Sequence, residues 1–281
     1  DTLVGVGGST ISDAARMIGV MMALEITTVD RLRELSREHD GVLPADLVSS
    51  QLPWQVSIPT TLSAGEFNMG GGNILDDRAG HKIRVRHPGL YAHLIVLDPE
   101  MTVGTPDWLW LSTGVKALDH CIERLYTTGN QPAIDAPILS AAEMLFSDLA
   151  RSGESHHDLD ARLRCLMAAW MSMMGAPNFN TGLSHAIGHV IGVRYAVGHG
   201  YTSCVTQPYV MEYNRPVSAA KQALLARSAG IDTRSMSDEA AAEAAARAVD
   251  DLILGMGMPH RLRELEIPRE DLPAIAEEVL H

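Results

Sequence analysis

Four histidines between residues 120 and 199 have the spacing of metal ligands or proton carriers: His120, His185, His189 and His199. His185 and His189 are four residues apart, so both side chains lie on one face if the segment is a helix. His199 follows at a glycine-flanked break, which allows the chain to turn back toward that face. Neutral imidazole is a common transition-metal ligand and titrates near neutral pH. The pattern favours a functional cleft over the alternative, in which helical histidines only bond backbone carbonyls.

A polar stripe interrupts the otherwise apolar helix that is predicted around His120. Lys116, His120 and Glu123 follow one another at intervals of four and three residues and therefore share one face. Two interpretations remain open at this point. Lys116 and Glu123 form a buried ion pair, or the stripe is the far wall of a cleft that contains the other histidines.

A glycine-rich turn near the start of the chain separates a predicted strand from a predicted helix. The backbone N–H groups of Gly8 and Ser9, after Gly7, would meet a pyrophosphate at the helix N-terminus, where a Cβ atom would keep the phosphate away. A plain tight turn would have the same residues. Asp13 lies one turn into the helix, and we expect it to cap the backbone or bind a sugar hydroxyl, because a carboxylate repels phosphate.

A second loop carries three hydroxyl groups directly after another predicted strand, at Thr60, Thr61 and Ser63. Open α/β sheets bind ligands at the carboxyl ends of their strands, so these hydroxyls are placed to bond a carboxamide or a ribose. A network of hydroxyl turns within the loop is the alternative. Lys82, in a hairpin predicted within residues 66–85, either contacts a cofactor phosphate or ribose or is an exposed lysine.

Hydrophobic spacing divides the chain into two parts. Strand patterns occupy residues 2–6, 51–58 and 93–97, with a helical pattern at 12–24, and strand signals then vanish after Pro106. The helical stretches of the second part are residues 108–126, 133–150, 161–174, 182–195, 218–229, 238–254 and 269–280. The sequence therefore predicts an α/β domain over residues 1–103 and an all-α domain over residues 104–281.

Composition excludes several classes of partner. The formal net charge of −13 argues against a nucleic acid or an anionic membrane, and no apolar run approaches the ~18–20 residues of a membrane span. The three cysteines are sparse and odd in number, which indicates reduced thiols and a cytoplasmic setting. The chain opens without Met immediately before the glycine turn, and we expect further sequence upstream.

Taken in order, these motifs resemble the iron-containing (group III) alcohol dehydrogenase family, including its maleylacetate-reductase-like branch. The residues that carry the resemblance are the Gly-Gly-Ser-x-x-x-Asp turn at 7–13, the loop 59–66, Leu-Asp-Pro-Glu at 97–100, the stretch 113–123, Gly-x-x-His-x-x-x-His at 182–189, Gly-His-Gly at 198–200 and the stretch 208–214.

The resemblance implies a Rossmann-like dinucleotide-binding domain, incomplete here, followed by a helical metal and substrate domain, with the active site in the cleft between them. It implies hydride transfer between NAD or NADP and a small alcohol or carbonyl substrate, and a homodimer. The residues expected to hold the cofactor are Gly7, Gly8, Ser9, Asp13, Thr60, Thr61, Ser63 and Lys82.

The family usually holds its divalent metal, Fe or Zn, with one aspartate and three histidines. His120, His185 and His199 match those histidines, His189 matches a fourth beside the substrate, and Lys116 stands at the aspartate position. Unit charges ~4 Å apart at an effective dielectric constant of ~20 interact by roughly 4 kcal/mol, so a protonated lysine would oppose a dication by about 8 kcal/mol. The neighbouring Asp119 is rotated by about 100° around the helix from His120, and we do not expect it to substitute.

The lysine at the aspartate position allows two outcomes. Lys116 swings away from a weak three-histidine site, or the site holds no metal and Lys116 itself polarises the substrate oxygen. We favour the second outcome, with His189 or His199 relaying a proton.

Other functions remain as alternatives. One is a maleylacetate-reductase-like, metal-independent reductase of an aromatic-degradation intermediate, and another is a non-catalytic nucleotide-binding member of the family. A metal-dependent hydrolase is disfavoured, because Ala186 stands where such a helical histidine pair needs an acid.

Overall fold

The computed structural model describes residues 1–48, 52–68, 70–76, 78, 81–175 and 182–280. The chain separates into two compact units, Asp1–Thr102 and Val103–His281. The predicted boundary between residues 103 and 104 lies beside this division.

The first unit is α/β, as predicted. Its strands are β1 (Thr2–Gly7), β2 (Trp54–Pro59), β3 (Gly71–Asp76), β4 (His81–Arg86) and β5 (Leu94–Ile95), and its helices are α1 (Ser9–Ala23), α2 (Val29–Glu38) and α3 (Ala45–Val48). Strands β1, β2 and β5 form a parallel sheet in that order. Strands β3 and β4 form the predicted antiparallel hairpin, whose residues 77, 79 and 80 lie outside the described part of the chain.

Apolar side chains from α1, α2 and β4 form the core of this unit. Met17 and Val20 of α1 pack with Leu32 of α2 and with Ile83 and Val85 of β4, and each is at most 2% exposed. Fully burying a side chain of this size contributes about 1.5–3 kcal/mol. The packing fixes α1, and therefore the glycine turn that precedes it, against the rest of the unit.

Helices α1 and α2 of this unit differ from the predictions. Helix α1 begins at Ser9 rather than at residue 12, because Gly8 is in extended backbone conformation and serves as the N-cap. Helix α2 was not predicted, although its signal is present: the Thr28 hydroxyl accepts a hydrogen bond from the Arg31 N–H group, and buried Leu32 and Leu35 are three residues apart.

The second unit is helical in its described residues, which confirms the predicted fold class. Its helices are α4 (Asp107–Tyr126), α5 (Pro132–Glu154), α6 (Leu159–Ser172), α7 (Leu183–Tyr195), α8 (His199–Ser228), α9 (Asp238–Gly255) and α10 (Leu272–Leu280). Helix α4 packs against α5, α6 and α8 and is buried along most of its length. Its polar residues Lys116, Asp119, His120 and Glu123 are therefore enclosed by protein. Among the helices described here, none combines the length and apolar character needed to cross a membrane.

Helix α8 is much longer than the stretch 218–229 that was predicted. It starts at His199 and continues through Pro208 and Pro216, which the sequence pattern treats as breaks. Each proline removes one backbone hydrogen bond, yet α8 packs along α4, α7 and α9. Tertiary packing thus outweighs the local penalty, and it places His199 at the first turn of a long helix.

Candidate active site

The two loops predicted to bind the cofactor meet at the carboxyl ends of β1 and β2. The Thr60 N–H group donates to the Gly7 carbonyl oxygen at 3.1 Å. A Cβ atom on Gly8 would lie 2.9 Å from Thr61 Oγ1, so only glycine allows this approach without a shift. Thr61 Oγ1 in turn lies 2.8 Å from Ser63 Oγ. The glycine turn and the hydroxyl loop therefore form one continuous surface.

The N-terminus of α1 fits a phosphate group. Its N-cap residue, Gly8, offers no side-chain hydrogen bond, and its first turn, which begins at Ser9, carries no acidic residue. The leading N–H groups of a helix have no partner within the helix and carry partial positive charge. A dinucleotide pyrophosphate would supply the acceptors that the side chains here do not provide.

Arg16 of α1 holds the backbone that directly follows the three hydroxyl residues of the loop. Its side chain is almost fully buried, and Nη2 donates to the carbonyl oxygens of Gly65, Glu66 and Asn68 at 2.9, 3.1 and 3.1 Å. Its Nη1 atom lies 3.2 Å from Asp13 Oδ1. Burial raises the pKa of Asp13, and the charge of Arg16 opposes that rise. The carboxylate of Asp13 is thus engaged by Arg16, and its predicted role toward a sugar stays a prediction.

Lys82 is an exposed residue of β4, where it lies opposite Leu75 in the hairpin. Its predicted contact with the cofactor remains a prediction.

In the second unit, Lys116 forms a buried ion pair with Asp119 one turn further along α4. The Nζ atom lies 2.7 Å from Asp119 Oδ2, which also accepts a hydrogen bond from Ser203 Oγ of α8 at 2.7 Å. Burial raises the pKa of Asp119, but the positive charges of Lys116 and of His185 outweigh burial and hold the pKa below its usual range.

Two sequence-based expectations are wrong here. The alternative that paired Lys116 with Glu123 fails, because Asp119 is the ion-pair partner. Asp119 was not expected to take the place of the family's metal-binding aspartate, yet its Oδ2 atom lies 3.8 Å from His185 Nδ1 and belongs to the group of possible ligand atoms. Residues three apart share a helix face, so Asp119 lies on the same side of α4 as Lys116.

Glu123 joins α4 to the start of α7. Its Oε2 atom lies 3.0 Å from His185 Nδ1 and accepts from the Gly182 N–H group at 3.0 Å, while Oε1 accepts from the His185 N–H group at 3.2 Å. A Cβ atom on Gly182 would lie 2.5 Å from Glu123 Oε1, so glycine is required for this approach. The carboxylate satisfies N–H groups at the beginning of α7 and orients the His185 ring.

The Nδ1 atom of His185 faces two partners with opposite requirements. Lys116 Nζ, a donor when protonated, lies 3.1 Å away, and the Glu123 carboxylate, an acceptor, lies 3.0 Å away. One imidazole nitrogen either carries a proton or presents a lone pair. Only one of these two contacts is therefore a good hydrogen bond in either tautomer of His185.

The four predicted histidines form a row of neighbouring rings. Ring centroids are 5.3 Å apart for His120 and His185, 6.0 Å for His185 and His189, and 5.0 Å for His189 and His199. His120 Nδ1 is buried and has no hydrogen-bond partner among the residues that the structure describes. Burial, followed by the charge of Lys116, lowers the pKa of His120 well below its usual value, so its ring is neutral.

The ligand atoms at this site do not fit a divalent metal while Lys116 is in place. Within the described ranges, the three acidic or histidine side chains whose ligand atoms all lie within 4.8 Å of one another are Asp119, Glu123 and His185. The predicted set of His120, His185 and His199 does not form such a group. An ion held about 2.1 Å from Asp119 and His185 would lie beside the Lys116 ammonium, which already contacts both.

Sequence reasoning missed several residues of these sites. The contact of Asp119 with Lys116 could have been predicted from the sequence, because a position three residues after Lys116 shares its helix face. Arg16 and Ser203 carried no usable signal, since the carbonyl groups that Arg16 contacts and the carboxylate that Ser203 contacts are 49 or more residues away in the sequence.

Comparison with known proteins agrees with this architecture. Residues 110–281 match the Fe-containing alcohol dehydrogenase family, C-terminal domain, and residues 1–99 match the iron-containing alcohol dehydrogenase family. Dehydrogenase ALT3 of Alternaria alternata is 31% identical over 100% of this chain and 78% of its own length. Lactaldehyde reductase of Escherichia coli (strain K12) is 30% identical over 100% of this chain and 70% of its own length.

Solved structures share the fold. A 1,3-propanediol oxidoreductase superimposes with a TM-score of 0.87 at 27% identity, covering 100% of this chain and 70% of that chain. Maleylacetate reductase from Rhizobium sp. strain MTP-10005 has a TM-score of 0.77 at 22% identity, covering 99% of this chain and 67% of that chain, which shows likeness of fold. The chain therefore belongs to the iron-containing alcohol dehydrogenase family, and it is an oxidoreductase of the alcohol dehydrogenase and reductase type.

Proposed function

We propose that this protein transfers hydride between NAD or NADP and a small alcohol or carbonyl compound, and that Lys116, without a divalent metal, polarises the substrate oxygen. The observation that carries the proposal is the buried ammonium group of Lys116, held by Asp119 and adjacent to His185. A fixed positive charge in a site of low dielectric stabilises a developing oxyanion far better than the same charge in water.

The residues of the second unit supply charge and a proton. When bound, the nicotinamide supplies the hydride that reduces the carbonyl carbon. An ammonium group has three N–H donors, and Asp119 accepts from one of them, so Lys116 has donor capacity for the substrate oxygen. The alkoxide takes one proton per turnover, directly from Lys116 or through His189 and His199, whose rings are in contact.

The residues of the first unit would hold the cofactor. The N–H groups at the start of α1, beginning with Ser9, would bind the pyrophosphate. Thr60, Thr61 and Ser63 would position the nicotinamide and its ribose. The contact between the glycine turn and the hydroxyl loop supports a single binding surface for both parts of the dinucleotide.

The names of the relatives suggest a substrate class. Lactaldehyde reductase and 1,3-propanediol oxidoreductase are both named for three-carbon compounds with two oxygen functions. We propose short hydroxyaldehydes, and the corresponding diols in the oxidative direction, as the first substrates to assay. Each substrate is to be assayed with NADH or NADPH for the aldehydes and with NAD or NADP for the diols.

The decisive variant is Lys116→Ala, with Lys221→Ala as its matched control, because Lys221 is a partly exposed lysine paired with Asp135. In buffer containing a metal chelator, we expect Lys116→Ala to lower kcat/KM by about 100-fold or more, the effect of removing an oxyanion-stabilising group. Added methylammonium should restore part of the lost turnover, and tetramethylammonium should not. Full turnover of Lys116→Ala under these conditions would refute the proposal.

The two alternatives give different results in the same assays. Rapid reduction of maleylacetate, with slow reduction of hydroxyaldehydes, would assign the protein to the maleylacetate-reductase-like function. Saturable binding of NADH without turnover on any aldehyde, ketone or maleylacetate would favour a non-catalytic nucleotide-binding protein. The expected homodimer stays a prediction, to be tested by sedimentation.

A further inference from the structure

We infer that Lys116 acts as an internal cation that occupies a latent divalent-metal site formed by Asp119, Glu123 and His185. The inference rests on the proposed function in one respect, since both require Lys116 to be positively charged. The ligand set differs from the three histidines expected from the family resemblance. In the protein as it stands, Lys116 keeps this site closed to metal.

The ligand atoms are already close to the spacing that a metal requires. They all lie within 4.8 Å of one another, with His185 Nδ1 3.0 Å from Glu123 Oε2 and 3.8 Å from Asp119 Oδ2. Zinc and similar ions bind imidazole nitrogen and carboxylate oxygen at about 2.0–2.2 Å, so two ligands of one ion are separated by at most about 4.4 Å. Small side-chain movements would be enough to bind an ion.

A cation stands among these ligand atoms in the present structure. The Lys116 ammonium nitrogen contacts Asp119 Oδ2 at 2.7 Å and His185 Nδ1 at 3.1 Å, atoms that an ion would use. Asp119 is fully buried, and its second oxygen, Oδ1, has no hydrogen bond to any described residue. The site therefore has unused acceptor capacity as well as a resident positive charge.

Charge balance explains why removal of the amine should open the site. Asp119 and Glu123 are 0% and 5% exposed, and a buried charge without its partner is strongly unfavourable. Without Lys116, the Asp119 carboxylate lacks its counterion, and a bound metal cation would supply one. One imidazole and two carboxylates are ligands that suit Zn²⁺, Co²⁺ and Mn²⁺.

The test measures Co²⁺ binding without substrate or nucleotide, by calorimetry and by the visible absorption of the bound ion. We expect Lys116→Leu to bind one Co²⁺ per chain at least about 100-fold more tightly than the wild type, because a repelling charge is removed. The double variant Lys116→Leu/Asp119→Asn should lose this gain. The matched double variant Lys116→Leu/His189→Asn should keep it, because His189 is outside the ligand set. Lys116→Gln serves as a second variant if Lys116→Leu does not fold.

Two results would overturn the inference. One is Co²⁺ binding by both Lys116 variants that is no tighter than that of the wild type. The other is binding that survives Asp119→Asn and depends on His189 instead. Failure of the proposed function is a separate result, since it appears as turnover of Lys116→Ala in chelator and involves no metal titration.

Discussion

Lys116 and Asp119 form a buried ion pair within one turn of α4, with Nζ 2.7 Å from Oδ2 and side chains that are 9% and 0% exposed. A second helix completes the arrangement, because Ser203 of α8 donates to the same carboxylate oxygen. Removing one member of a buried pair leaves an uncompensated charge and is much more costly than removing both. The pair is thus both a catalytic element in the proposed function and a determinant of stability.

The stability of the variant Asp119→Asn tests this pair. We expect a loss of about 3–5 kcal/mol in the free energy of unfolding, measured in urea, because the Lys116 ammonium remains buried without its counterion. The double variant Lys116→Leu/Asp119→Asn should recover a large part of that loss. Asp232→Asn is the control, since its pair with Arg234 is exposed and should leave the midpoint unchanged. Equal effects of Asp119→Asn and Asp232→Asn would show that the pair is not buried in solution.

Cofactor binding should depend on the absence of a side chain at position 8. In Gly8→Ala, the new Cβ atom would lie 2.9 Å from Thr61 Oγ1 and would separate the glycine turn from the hydroxyl loop. We expect the Kd for NADH, measured by fluorescence titration, to rise by about tenfold, equivalent to about 1.4 kcal/mol. Gly104→Ala is the control, because no atom lies within 4 Å of a Cβ atom there. An unchanged Kd in Gly8→Ala would remove the turn from the binding surface.

Arg16 should act on cofactor binding through the loop that it holds. Lysine in its place keeps the charge but cannot reach three carbonyl groups with one planar donor group. We expect Arg16→Lys to lower the free energy of unfolding by on the order of 3 kcal/mol and to raise the Kd for NADH, because several buried hydrogen bonds are lost. Arg31→Lys, at an exposed ion pair, should change neither quantity. Unaltered NADH binding in a destabilised Arg16→Lys protein would confine Arg16 to a structural role.

Glu66 should make stability depend on pH near neutrality. Burial raises the pKa of this carboxyl group from 4.5 to about 7, and its Oε2 atom has no hydrogen-bond partner within the described part of the chain. Between pH 4.5 and 7 the folded state therefore holds a proton that the unfolded state releases. The free energy of unfolding should fall as the pH rises through this range, by up to about 1.4 kcal/mol per pH unit from this group.

The variant Glu66→Gln should remove this contribution and be more stable than the wild type at pH 7.5 and above. The control is Glu34→Gln, at a side chain that is 63% exposed. Urea unfolding at a series of pH values measures both. A wild-type slope that Glu66→Gln leaves unchanged would mean that another group is responsible.

The sequence allowed the fold class to be predicted, because it depends on local hydrophobic spacing. The division near residue 103 and the functional role of the histidines stay predictions, although the four rings do lie next to one another. Residues 185 and 189 share a face in any helix, and glycines on both sides of His199 indicate a break. The continuous α8 was not predictable from Pro208 and Pro216, since the packing that overrides them comes from other helices. The same limit applies to the contacts of Arg16 with three loop carbonyl groups and of Ser203 with Asp119, which join residues distant in sequence.

The expectation for Asp119 failed for a different reason. It compared Asp119 only with its neighbour His120, about 100° away around the helix, and not with Lys116, which lies one turn before it. The sequence showed that lysine stands at position 116 where the family has aspartate. That Asp119, three residues later, pairs with this lysine was visible only in the structure.

The most direct test of the central claim measures metal content and turnover on the same wild-type sample. Bound iron and zinc are determined by mass spectrometry, and NADH and NADPH oxidation is followed with a short hydroxyaldehyde, before and after dialysis against a chelator and again after each ion is added back. If Lys116 supplies the positive charge, turnover stays constant through every step, and bound iron and zinc stay at trace levels. Turnover that is lost with the metal and returns in proportion to added iron or zinc would contradict the account.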